Sequence, residues 1–181
     1  MRRFLAATVI FFTAVFVLPA AAAPDKATRE AAERLMTTIG LEKRVDTMVQ
    51  LYLTFLPTET PAQQARAESL RQRAPGAGQR FRGSVVNAAV QSYSKSEIDA
   101  LDAYFASGEG QRLLTTAITR AVLGLGQKGQ VRANDILRPE DLPRDNPALQ
   151  AAAAKYPAFE TAAKRELERE FAQEIALITA R

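Results

Sequence analysis

Apolar residues recur along most of this chain three and four positions apart, the period of a helix that buries one face. Leu35, Met36 and Ile39 mark a helix over residues 25–39, with Gly40 placed to close it at the C′ position. Leu41, Val45, Met48, Val49, Tyr52, Phe55 and Leu56 predict a second helix over 41–56 with one broad apolar face. Pro57 and Pro61 bracket a break. Residues 62–73 are weakly periodic and read as a polar, exposed helix that ends at Pro75-Gly76-Ala77-Gly78. Phe81, Val85, Val86, Ala89 and Val90 predict a helix over 79–91. No run alternates with period two for long enough to propose a strand, and no repeat of fixed length occurs. The pattern predicts an all-α bundle of five to seven short helices.

The stretch Tyr93 to Leu114 holds two helix starts. Ser94-Lys95-Ser96-Glu97 has the form of a capping box, in which the Ser94 hydroxyl and the Glu97 carboxylate each satisfy the other's backbone N–H. Ile98, Leu101, Tyr104 and Phe105 follow at helical spacing. Ser107 is a second N-cap candidate and opens a helix whose face is Leu114, Ala117, Ile118, Ala121 and Leu125. Two capped helices with so short a joint must turn sharply. Gly110 sits in the first turn of the second, where glycine costs about 1 kcal/mol against alanine. A close backbone approach at the crossing is the expected compensation.

This stretch resembles the signature of the "domain of unknown function 2059" family. Tyr93, Ser94, Glu97 and Ile98 match the first half of that signature. Tyr104 and Phe105 carry its aromatic pair in swapped order, and Ser107, Gly110 and Gln111 match its second half. Gly108 stands where the family has proline, which loses the preset backbone angle at a first helical position. The resemblance implies an exported, mostly helical envelope protein and supplies no catalytic residue.

Beyond this pair, residues 124–146 change texture, with three glycines followed by Pro139 and Pro143, and predict an irregular connection. Pro157 is placed to start the last helix at its first position, with Phe159, Ala163, Leu167, Phe171, Ile175 and Ile178 as its stripe. At the other end, Met1-Arg2-Arg3 precedes fifteen apolar residues and threonines, Phe4 to Leu18, and then Pro19 and four alanines. This is the layout of a secretory signal peptide, and the run is short for a membrane span. Cleavage after Ala22 places small residues at Ala20 and Ala22. The expected organisation is a signal peptide over 1–22 and a single helical domain over 23–181, periplasmic or secreted, with no transmembrane segment after processing.

Composition narrows the chemistry. The chain has no cysteine and no histidine. Cysteine and Ser-His-Asp hydrolases are therefore excluded, as are zinc sites built on these side chains. No metal or cofactor is expected, and catalysis could rest on carboxylates or a Ser-Lys pair. Losing Arg2 and Arg3 lowers the formal charge from +4 to +2. Gly124-Leu125-Gly126-Gln127-Lys128-Gly129 is a literal GxGxxG, but no strand precedes it. Ser92-Tyr93-Ser94-Lys95 is a literal SxxK without the partner elements such enzymes need.

Two clusters remain. Glu97, Asp99, Asp102 and Glu109 are the closest set of carboxylates; a glycosidase needs two such groups about 5–10 Å apart across a sugar cleft. Asp99 and Asp102 lie opposite the apolar stripe, and water is their expected surrounding. Arg66, Arg71, Arg73, Arg80 and Arg82 share seventeen residues with Glu68 as the one acid, a local charge of +4. Such a stretch can attract phosphate-bearing lipid; nucleic acid is not an expected partner. The reading is an exported envelope protein that binds or builds without catalysis. The alternatives are a peptidoglycan-acting carboxylate hydrolase and an anionic-lipid-binding protein.

Overall fold

The computed structural model describes residues 25–128 and 139–179. The expected signal peptide lies outside them. The described chain is an all-α bundle of eight helices, one beyond the expected range because the last apolar stripe is cut at Phe171. No helix among the described residues is long and apolar enough to cross a membrane.

Helix α1 (Lys26–Thr38) starts at Asp25, whose Oδ1 accepts from the Thr28 N–H at 2.6 Å. Gly40 ends it at φ 60°, a left-handed angle that a residue with a Cβ rarely adopts. Helix α2 (Leu41–Thr54) follows at once. Helix α3 (Pro61–Arg73) opens on a capping box of Thr60 and Gln63, with Pro61 in its first turn. It buries Ala67 and Leu70 despite its polar composition. Helix α4 (Ala77–Ser92) and helix α5 (Lys95–Ala106) are joined through Tyr93 and Ser94.

Helix α6 (Gly108–Lys128) runs into the stretch expected to be irregular, continuing through Gly124 and Gly126. Each glycine costs about 1 kcal/mol in a helix interior, yet extending a formed helix needs only one new bond per residue. The face expected on α6 shows Leu114 half-buried and Ala117 buried; the side chains of Ile118, Ala121 and Leu125 lie outside the described part. A short 3-10 turn, Pro139–Asp141, leads to helix α7 (Pro147–Glu170). Asn146 caps α7, its Oδ1 accepting from Ala148 and Leu149 N–H. Pro157 therefore does not start the last helix but lies inside α7. An interior proline costs about 3 kcal/mol; burial of Leu149, Ala152 and Ala153 before it and packing of Phe159 after it offset that cost. Helix α8 (Ala172–Thr179) completes the chain.

Helix α4 is central. It lies along α7, touches α1, and carries α2 on another side. Helix α5 is held between α1 and α7, and α3 packs on α8 and on α2. The main core gathers Leu35, Met36, Val86, Ile98, Phe105 and Leu149 from these helices. A second, smaller cluster joins Leu53, Leu70 and Ala74.

Candidate functional site

Three places could carry function: the α4–α5–α6 corner, the basic stretch and the outward face of α2. The corner is built as its polar residues predict. The Ser94 N–H donates to Glu97 Oε2 at 2.7 Å and the Glu97 N–H to Ser94 Oγ at 3.4 Å. The Gly110 N–H donates to Ser107 Oγ at 3.1 Å, so Ser107 caps α6 while its own hydroxyl donates to the Tyr104 carbonyl. A Cβ on Gly110 would stand 2.1 Å from the Tyr104 carbonyl oxygen and 2.6 Å from Phe105 Cα. That is the expected close approach, and only glycine permits it. Gln111 Nε2 donates to the Phe105 carbonyl at 2.6 Å and reaches the Thr38 carbonyl at 3.4 Å, tying the corner to the end of α1. Phe105 is buried, while Tyr104 stays half-buried beside it with ring centroids 5.3 Å apart.

Glu97 does more than cap. It is buried, and Lys155 of α7 reaches its Oε1 at 2.7 Å. Burial pushes the Glu97 carboxyl up, but hydrogen bonds from Lys155 and from the Ser94 backbone and hydroxyl outweigh it and hold the group below the usual glutamate range. Nothing near Lys155 in the chain announces this pair, which lies 58 positions away. Of the other carboxylates Glu109 is exposed, whereas Asp99 and Asp102 are half-buried and bonded instead of facing open water as expected. Asp99 bonds Arg34 of α1 at 3.0 Å and pairs with Lys95. Asp102 accepts from Thr38 Oγ1 at 2.5 Å. Helix α1 packs on the apolar stripe of α5 and along its flank, where Asp99 and Asp102 stand beside the stripe rather than opposite it, and so both carboxylates serve as inter-helix contacts.

The basic stretch is divided by its neighbours. Arg82 reaches Glu33 at 3.0 Å and Glu42 at 3.6 Å, and it also donates to the Glu33 carbonyl and Thr37. Its Nε is buried with no hydrogen-bond partner among the described residues. Arg80 pairs with Glu174 at 3.0 Å and Glu170 at 3.6 Å, and stacks over the Phe171 ring at 5.1 Å. These two cations fasten α4 to α1, α2, α7 and α8. Arg71, Arg73 and Arg66 lie on α3, the first two exposed and Arg71 within 3.9 Å of Glu68. The five arginines thus do not form one face.

Helix α2 presents something the sequence hid. Its apolar positions, expected on one broad face, divide into two. Glu42, Asp46, Val49 and Leu53 recur at intervals of four, three and four residues and face the bundle. Asp46 Oδ1 accepts the Gly78 N–H at 2.8 Å, Glu42 meets Arg82, and Leu53 is buried. Arg44, Met48, Leu51 and Phe55 recur at the same intervals about half a turn away, with Tyr52 beside them. Met48 is 39 %, Leu51 46 %, Tyr52 45 % and Phe55 78 % exposed. Both α2 carboxylates are on the bundle side, leaving the outward stripe with Arg44 and no acid.

A partly open apolar pocket lies apart from these three places. A cavity of about 160 Å³ lies in the main core among α1, α4, α5 and α7, with Met36, Phe105, Leu142, Ala152, Ala153 and Phe159 in its wall. Among the described residues no cluster of three or more Asp, Glu, His or Cys is placed to hold a metal ion.

The chain matches no family model, no curated protein and no solved structure. The site must be read from its own geometry.

Proposed function

We propose that the protein is an exported, non-catalytic envelope module, as its resemblance to the domain of unknown function 2059 family implies, and that α2 attaches it to an anionic bilayer surface. The observation that carries this reading is the outward stripe of Met48, Leu51, Tyr52 and Phe55. With aromatic side chains of about 150–250 Å² each, the four expose roughly 400 Å², at the scale of the largest patch on a monomer. A stable protein interface takes about 800 Å² from each partner, so the stripe alone is too small to hold a second copy. A helix lying in a bilayer interface needs only one apolar side, an aromatic anchor and basic residues. Lys43 and Arg44 at the start of α2 supply the charge, each worth about 1 kcal/mol near an anionic surface, although Arg44 is half-buried and its Nε donates to the Ile39 carbonyl at 2.7 Å.

The test is co-sedimentation of chain 23–181 with phosphatidylglycerol–phosphatidylcholine vesicles and with phosphatidylcholine alone. The reading expects binding to the anionic vesicles that weakens with salt and falls at least tenfold in the Leu51→Ser/Phe55→Ser double variant. Equal binding by that variant, or none by the wild type, overturns it, and dimerisation through the stripe by sedimentation velocity would assign the face to a second copy. Export is tested separately: fractionated protein should begin at Ala23.

A further inference from the structure

We infer that the core cavity is a binding site for a small uncharged aromatic molecule about one ring in size. This inference is independent of membrane attachment. The space of about 160 Å³ is close to that of a buried apolar cavity known to admit benzene, roughly 150 Å³. It is lined by apolar and aromatic side chains, with no charged residue in its wall. A charged guest would lose its hydration there without gaining a partner.

The wall mixes small and aromatic residues, and that mixture says what fits. Part of it is made of small residues, Ala89, Ala152 and Ala153, all buried and each one turn from a lining tyrosine of the same helix. A leucine at any of them would occupy the space, and the same helices use Val86 and Leu149 where the core is filled. Much of the rest is aromatic. The Tyr93 and Phe159 rings stand 5.3 Å apart at 31°, Tyr156 lies 6.1 Å from Phe159, and Phe105 faces in from α5. Rings set at such angles offer both edges and faces, the surfaces an aromatic guest prefers. Ile39, Leu114, Tyr156 and Phe159 are only half-buried. They give a guest a way in by side-chain rotation, without unfolding a helix.

The experiment is a titration of chain 23–181, labelled at its methyl groups, with benzene, and with benzoate as the charged control. Saturable shifts confined to the lining methyls of Leu35, Met36, Ile39 and Leu142 under benzene, absent under benzoate, are expected, together with a rise in Tm. Ala153→Leu should abolish those shifts while keeping the helical circular dichroism of the wild type. If that variant does not fold, Ala152→Val and the wild-type titration decide. No saturable shift up to the solubility limit of benzene, or equal shifts with benzoate, overturns the inference.

Discussion

The cluster around Ile98 and the cluster around Leu53 are built from similar side chains, yet one is closed and the other is not. Around Ile98, helices α1, α4, α5 and α7 each bury a face, and the polar groups at the edge are spent on one another: Glu97 on Lys155, Asp99 on Arg34, Asp102 on Thr38. Around Leu53, α2 meets Leu70 and Ala74 at the end of α3 and little beyond, and Val49, Leu56, Leu177 and Ile178 stay half-buried at the rim. Folding explains the large apolar side chains at the centre of the first region, with Ile98, Leu149 and Val86 fully buried. It does not explain Phe55, which gains nothing from the bundle at 78 % exposure. An apolar residue that packing does not use is where a binding role is best sought.

The comparison can be broken by substitution. Ile98→Ala should be the most damaging change, about 3–4 kcal/mol in urea unfolding, because Ile98 is fully buried and its neighbours cannot collapse onto the gap. Gly110→Ala should cost about 3 kcal/mol through overpacking against the α5 backbone; a loss below 1 kcal/mol would mean that the corner yields. Leu53→Ala should cost less, about 2 kcal/mol, if the second cluster is as open as its rim suggests.

Smaller effects sharpen the contrast. Lys155→Met should cost about 2 kcal/mol by leaving the buried Glu97 carboxylate short of a partner. Because the folded-state pKa of Glu97 is depressed, its contribution is complete above the unfolded value, about 4.3, and is lost as pH falls through the lower folded value. Stability measured from pH 5 down to pH 2 should therefore fall less steeply in Glu97→Gln than in wild type. Gly108→Pro should stabilise by about 0.5–1 kcal/mol, since Ser107 is already extended, Gly108 opens α6 and space surrounds it. Phe55→Ser should change stability by about 0.5 kcal/mol or less while weakening vesicle binding. A large loss of stability there would show that α2 is a structural helix after all.

Much of the bundle was legible because helix signals are local. Ser94 and Glu97 stand three residues apart, and the box they form needs nothing else. Gly40 announces a helix end, and Gly110 announces a close approach, because each is a glycine where another residue would serve a helix better. The capping box at Thr60 and Gln63 is equally local, three residues apart, and marks the start of α3 better than its weak apolar period does. Pro157 misled because its preference for a first turn is real, but Asn146 and Pro147 had already started the helix.

The basic stretch and α2 show where reading along the chain runs out. Arg80 and Arg82 count as surface charge until Glu174, at 94 positions' distance, and Glu33 are brought beside them. Seven of the nine apolar positions over 41–56 make one face on a helical wheel, with Leu51 and Leu53 off it, yet packing buries Leu53 and leaves Leu51 outside. Helices, caps and the all-α class follow from contacts between residues three or four apart, and the chain carries those wherever it goes. Which charges are neutralised, which stripe stays outside and where the core leaves a space depend on partners many positions away, and only packing selects them.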